Sequence, residues 1–360
     1  MADDDIAAMI SDSATAYAVA SGSVARARAR YGSGAPLDRA AWAEMAQSGW
    51  VSMLLAESKG GGGMGLGEAA ALHQALGKGL VPEPLALTAH LPNLVLNQND
   101  TSSIGDPDQP VAVAWQGGHG TLFAEHTGLS LTDGRLSGEA LNVIGAEAAG
   151  TVIAAVRERS GTGLFALPAG AFRQAPFRLA DGTSGAHLIA EGIDISKAIR
   201  LFPAADGARI LDRALDEVRV ILAAELLGVM RQTFTLTLEY LRTRKQFGRA
   251  IGSNQALQHR AVDLYVQIEL TEAAVRLAVE QMAAGDDPSM RAAAASAAKA
   301  RASEAALTVA REAVQLHGAI AYTLEHDICL YLARSLTLAA LLGNAAAHRR
   351  RYAALTASAA

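Results

Sequence analysis

The sequence predicts a mainly α fold with a central β domain: an N-terminal helical domain over 1–108, a middle β domain over 109–197 and a C-terminal helical bundle over 198–360. Three observations carry this. Apolar residues recur at helical spacing up to about Leu80. After Pro107 they give way to short apolar runs bounded by turn residues. From Ala208 onward the helix-favouring alanine, leucine, glutamate and arginine return.

In the first segment Trp42, Met45, Ala46, Gly49 and Trp50 mark one helical face, and the run Gly60 to Gly63 interrupts it as a loop. Pro82, Pro84 and Pro92 predict helix ends and a change of direction, because proline lacks the amide proton that a helix interior uses. In the second segment Val111 to Trp115, Thr151 to Val156 and Leu164 to Leu167 read as strands, with turns at Asp133-Gly134 and at Gly161 to Gly163. In the third, Gly285 to Pro288 is the strong break before Gln315. The alanine-rich stretch Ala292 to Ala298 keeps the i, i+3, i+4 pattern around it and so points to closely packed helices.

A chain of 360 residues, 51% hydrophobic and 19% charged, can bury a substantial core. Its formal net charge of −5 gives no broad basic surface, which argues against a nucleic-acid partner. The single cysteine, Cys329, allows no intrachain disulfide and no all-cysteine zinc site, so a reducing compartment fits and no metal site is read. The N-terminus, Met1 to Asp5, is acidic where a secretory signal is positive, and no apolar run reaches the roughly 18 to 20 residues that span a bilayer. The expectation is a cytoplasmic protein with no membrane partner.

Two segments carry chemistry. In the first, Tyr240 to His259, a helix ends in the basic residues Arg242, Arg244, Lys245 and Arg249 around Gly248. The guanidinium of Arg244 presents a fixed fork of donors, and Phe247 a flat apolar ring. The second segment runs from Gln315 through His317, Gly318, Ala319 and Ala321 to Glu325 and His326.

These segments resemble the helix–turn–helix and the glycine-containing stretch of the acyl-CoA dehydrogenase family, the second being similar to the bacterial branch that includes heteromeric steroid side-chain dehydrogenase subunits. The resemblance covers nearly the whole chain more weakly, through Glu57 with Gly60 to Gly65, Gly77 to Pro84, and Leu129 to Ala146. It implies a β-barrel-like middle domain, a four-helix C-terminal bundle, and FAD as the cofactor, shared with or held by a partner subunit. Arg244, Gln246, Phe247, Gln315 and Gly318 are then the implied cofactor-binding residues. It also implies an acyl-CoA substrate and a homo- or hetero-oligomer with a related acyl-CoA dehydrogenase subunit. Ala319 and Ala321 stand where the pattern has glycine, and Leu324 where it has tryptophan. Trp115 to Thr121 keeps only some glycines of the family's flavin- and substrate-binding stretch.

The family reaction removes an α-proton with a carboxylate and passes the β-hydrogen as hydride to flavin. The two positions where the family carries that base match Leu342 and Val218 here, and neither side chain takes a proton. Glu225 shares the helical face of Val218, at about 20° and roughly 10 Å along, and is the candidate catalytic carboxylate; its alternative is a structural carboxylate paired with an arginine. Three functions stay open: a degenerate dehydrogenase subunit that completes a partner's flavin site, an active homo-oligomeric dehydrogenase using Glu225, and a non-catalytic helical scaffold or interaction protein.

Overall fold

The computed structural model describes residues 2–33, 37–101, 104, 106, 109–284 and 287–357. The expected boundary at Pro107 and Asp108 and the Gly285-Asp286 part of the expected break lie outside those described residues. In chain order the helices α1 (Ala2–Ala20), α2 (Ser23–Ser33), α3 (Arg39–Gln47), α4 (Leu66–Lys78) and α5 (Leu91–Leu96) precede strands β1 (Val111–Ala114), β2 (Leu129–Thr132), β3 (Arg135–Ile144), β4 (Thr151–Glu158), β5 (Gly161–Pro168), β6 (Arg173–Arg178), β7 (Ser184–Asp194) and β8 (Ile199–Phe202). Then follow α6 (Gly207–Thr243), the short strands β9 (Lys245–Gln246) and β10 (Arg249–Ala250), and helices α7 (Gln255–Ala284), α8 (Pro288–His317), α9 (Ile328–Ala340) and α10 (Ala345–Ala357). The chain packs as two compact units. One comprises Met1–Gly32, Leu66–Pro82 and Arg219–Ala360; the other comprises Ser33–Gly65 and Glu83–Val218.

The unit containing the strands is built on an eight-stranded sheet of order β6-β7-β3-β2-β4-β5-β8, with β1 pairing β4. Most neighbours are antiparallel; β4 pairs in parallel with β1 and with β2. Val152, Ala154 and Val156 join Leu129, Leu136 and Phe165 in the core cluster, and Ile153 and Ala155 between them are equally buried, so β4 is covered on both faces. The β2–β3 turn falls at Asp133-Gly134 as expected, both residues at positive φ (49° and 74°), which is the two-residue hairpin geometry. The expected turn at Gly161 to Gly163 is displaced: Glu158 pairs with Gly161, so Arg159-Ser160 make the turn and the glycines lie in β5. α3 starts where Asp38 accepts from the amides of Ala40 and Ala41 at 3.0 and 3.2 Å, and it buries Trp42 and Met45. Pro92 ends no helix. It lies at the start of α5, continuous with a π-turn over Ala86–His90, and the Leu91 amide donates back to the Ala86 carbonyl. The wider turn leaves room for the ring that a regular helix would exclude.

The other unit is the C-terminal helical bundle with α1, α2 and α4 added to it. α6, α7, α8 and the α9–α10 pair form its rods, and α8 begins at Asp287, whose carboxylate accepts from the Ser289 amide at 2.8 Å. α4 reaches α6 across two glycines: a Cβ on Gly77 would stand 2.3 Å from the Glu225 carbonyl oxygen, and one on Gly228 would stand 1.9 Å from that of Gln74. Gly228→Ala is therefore expected to destabilise the protein by at least about 1–3 kcal/mol, read as a lower urea midpoint at unchanged slope.

By length and composition α6 and the stretch Ile328–Ala357 are long and apolar enough to cross a membrane, although Glu225 and Arg334 interrupt their apolar runs. In α6, 72% of the relevant window is buried inside the protein. The second stretch is broken between Ala340 and Ala345, where Leu342 takes φ 55°. α6 is thus a core helix; in the second stretch 56% of the window is buried, and among the described residues α10 buries only His348 and Arg351.

Candidate functional site

α6 ends in an exposed hairpin. β9 and β10 pair through Gln246 and Arg249, and Phe247-Gly248 form a two-residue turn at φ 51° and 78°. A non-glycine residue in the left-handed region costs about 1 kcal/mol or more, and Phe247 is held there with its side chain 99% exposed. Arg244 and Gln246 are exposed beside it, whereas the Arg249 guanidinium donates to Asn254 Oδ1 at 2.6 Å. The sequence-predicted residues Arg244, Gln246 and Phe247 thus share one projecting tip.

The end of α8 is tied to the end of α6. The Tyr240 ring stacks on His317 with centroids 4.5 Å apart, and His326 meets the His317 ring edge-on at 4.6 Å. His317 Nδ1 donates to the Ala313 carbonyl at 2.8 Å, and burial lowers the ring's pKa, so it is neutral near pH 7. Gly318 follows at φ 68°, ψ −145°, a conformation essentially reserved for glycine, with open space where a Cβ would stand. Gln315 and Gly318 are exposed. The two alanines that depart from the glycine pattern differ in setting: Ala319 is exposed, while Ala321 is buried with Ala313, Val314 and Ile328. The Ala321 methyl is spent on packing.

Glu225 lies elsewhere, fifteen residues before Tyr240 on α6 and hence roughly 22 Å along the helix. It is 3% exposed. One carboxylate oxygen accepts from Arg334 Nε at 3.1 Å and also from its Nη2; the other accepts from His73 Nδ1 at 3.0 Å. Burial pushes the carboxyl pKa up, but Arg334 and His73 outweigh it and hold the pKa below its ordinary value. This is a clamped anion joining α4, α6 and α9.

The turn carrying Leu342 is held by buried cationic and imidazole groups. Lys299 Nζ donates to Ser303 Oγ at 2.9 Å and to the carbonyls of Leu338, Ala339 and Gly343 at 3.0–3.2 Å. Arg219, the residue after Val218, donates to the Leu342 carbonyl at 3.4 Å, and His348 Nε2 donates to the same oxygen at 2.9 Å. Sequence reasoning missed Lys299. Its signal was a lone charge inside an alanine stripe, a place where a solvated lysine does not belong.

Burial, reinforced by Arg219, pushes the Lys299 ammonium down from 10.5 to about 7. Between those values the unfolded chain binds more protons, so stability rises with pH from about 7 towards 10.5. Lys299→Met is expected to abolish that rise in a series of urea midpoints between pH 7 and 9.5.

The family profile described as Acyl-CoA dehydrogenase, C-terminal domain, matches residues 205–355. Acyl-CoA dehydrogenase IpdE2 of Mycobacterium tuberculosis (strain ATCC 25618 / H37Rv) is 33% identical over 322 residues, which are 88% of this chain and 87% of that protein. The structure of a Tcur3481-Tcur3483 steroid ACAD variant superposes with TM-score 0.88 at 26% identity, covering 99% of each chain. That of the ChsE4-ChsE5 complex from Mycobacterium tuberculosis superposes with TM-score 0.87 at 24% identity, covering 98% of this chain and 97% of that one. Near-complete coverage at this identity, together with the helical domains around a central sheet and the C-terminal bundle, excludes coincidence in the two motifs: the chain belongs to the acyl-CoA dehydrogenase family.

Proposed function

We propose that this chain is the degenerate subunit of an FAD-dependent acyl-CoA dehydrogenase, completing a flavin site whose catalytic base comes from a related subunit. The carrying observation is the state of the carboxylates. Leu342 and Val218 occupy the two positions expected of the base, and Glu225 is a buried anion clamped by Arg334 and His73. A carboxylate held in its charged form by two donors is a poor acceptor for a substrate proton.

The residues at the bundle end fit the flavin. Arg244 presents an exposed fork of donors for a pyrophosphate, Gln246 an amide, and Phe247 a ring projecting from the surface; Gly318 leaves its backbone open to approach, with Gln315 beside it on the last turn of α8. FAD supplies the hydride acceptor when bound. A fully projecting phenylalanine suits a cofactor held largely by another chain, and two-chain assemblies stand among the structural relatives. The chain-order domains 1–108, 109–197 and 198–360 and a cytoplasmic setting belong to the same reading.

Arg244→Ala in the assembled protein is expected to weaken FAD retention about 10- to 100-fold, the loss of a charge-assisted phosphate contact. Flavin titration of the apo-complex measures it, and an unchanged affinity removes Arg244 from the site.

A further inference from the structure

The turn between α8 and α9 begins at Gly318, and its far end is held in two ways. Arg28, from α2, donates to the Leu324 carbonyl and to the Asp327 carboxylate. That pairing occupies the side chain best suited to start α9. Asp327 makes no capping bond and already has helical φ and ψ of −68° and −18°, its carbonyl accepting from the amides of Leu330 and Tyr331 at 2.9 and 3.2 Å. The capping place falls to the preceding residue, and His326 fills it: its Nδ1 accepts from the Ile328 amide at 3.3 Å. The same ring packs edge-on against His317, the residue immediately before Gly318, so the cap and the glycine are joined through one contact. Thr323 ties the middle of the turn, its hydroxyl donating to the Ile320 carbonyl at 2.8 Å and accepting from the Glu325 amide at 3.3 Å.

An imidazole caps a helix only while it is neutral. The Ile328 amide can only donate, so Nδ1 offers a lone pair and the ring proton sits on Nε2. A second proton goes onto Nδ1 itself, where it removes the acceptor and sets positive charge against the positive end of α9. The surroundings do little to offset this. From α8 comes His317, held neutral chiefly by burial, with ring centroids 4.6 Å apart; from α6 comes Tyr240, perpendicular at 6.2 Å; from α2 comes the cation Arg28, to which Asp327 is committed. On the same turn Glu325 is exposed, and the Cys329 thiol, kept protonated by burial, donates to the His326 carbonyl at 3.3 Å. The sign follows. The ordered turn holds the neutral ring and the loosened turn takes up the proton, so acidification between about pH 8 and 5, where histidines ionise, favours loosening.

We infer that His326 is the positioning residue for the cofactor end of this chain: as a neutral imidazole it caps α9 and fixes the turn that presents Gly318, and on protonation it releases that turn. The inference rests on the assignment of Gln315 and Gly318 to the flavin. It adds a pH dependence of flavin retention that resides in a side chain outside the flavin-binding residues.

Hydrogen exchange of the full-length chain reads the cap, and FAD titration of the assembled protein reads its consequence. In the wild type the amides of Ile328 and the turn after it, corrected for intrinsic rates, are expected to exchange about fivefold faster at pH 5.5 than at pH 7.5, the factor that a lost cap is worth. FAD affinity is expected to fall by about the same factor. His326→Asn supplies an oxygen acceptor that takes no proton. It is expected to keep wild-type exchange and affinity at pH 7.5 and to lose neither at pH 5.5, whereas His326→Leu is expected to show both losses at either pH. An asparagine variant with the wild-type pH dependence would overturn the inference, as would a wild type whose exchange or flavin affinity ignores pH. Arg244→Ala leaves the cap intact and tests the flavin reading separately. If it weakens FAD binding while the His326 variants do not, the inference alone fails; if none of them does, the flavin assignment fails with it.

Discussion

Replacing Glu225 by alanine is expected to cost about 3–5 kcal/mol of stability, the largest effect of any single substitution considered for this chain. The substitution removes the carboxylate that faces Arg334 and His73 in a site closed to water, and breaking a buried pair leaves charge behind in a medium that solvates it poorly. Urea midpoints measure it. The pH dependence has a definite sign. Because the folded carboxyl sits below its ordinary 4.5, its contribution is present in full above that value and disappears as pH falls through the folded one. The wild-type protein is expected to lose stability steeply on acidification below about 4.5, and Glu225→Ala to show a flatter profile there. An alanine variant as stable as the wild type would mean that the clamp holds nothing. A stable Glu225→Gln variant that alone abolishes turnover would make Glu225 the base after all.

The second large effect concerns catalysis. The chain alone is expected to reduce a dye with acyl-CoA at least about 100-fold more slowly than its complex with a related subunit that carries an aspartate or glutamate base, since a positioned general base contributes about 10²–10⁴-fold. Single-turnover measurements at saturating acyl-CoA separate a missing base from weak substrate binding. Rapid turnover by the lone chain would place a base in it that neither Leu342 nor Val218 can provide.

The physics behind these expectations was unevenly legible in the sequence. The Asp133-Gly134 hairpin could be read because its chemistry is local: two residues able to take positive φ between two apolar runs. Gly161 to Gly163 looked alike but answered a distant demand, since a Cβ on Gly161 would stand 2.4 Å from the carbonyl oxygen of Ala204. Pro92 was misread because the π-turn that admits it leaves no mark in a 3.6-residue pattern. At the candidate site, Arg244, Gln246, Phe247 and Gly318 were named from the family resemblance, and the structure adds that all four are exposed and that Phe247 and Gly318 take positive φ. The state of Glu225 could not be read from the sequence. Its partners lie 109 and 152 residues away, and whether a carboxylate in an apolar stripe is clamped or poised depends on those partners alone. Lys299 was lost for the same reason, its acceptors being carbonyls on another helix.

The subunit reading stands most directly on where the flavin resides, and the visible absorption spectrum reads that without assuming a substrate. Purified alone, the chain is expected to show little of the visible absorption of a bound flavin. Co-purified with a related subunit, it should carry that absorption, and should lose it on dilution when its own Arg244 is replaced by alanine. Full flavin occupancy in the lone chain, bleached on addition of acyl-CoA, would contradict the reading and make this protein a complete dehydrogenase.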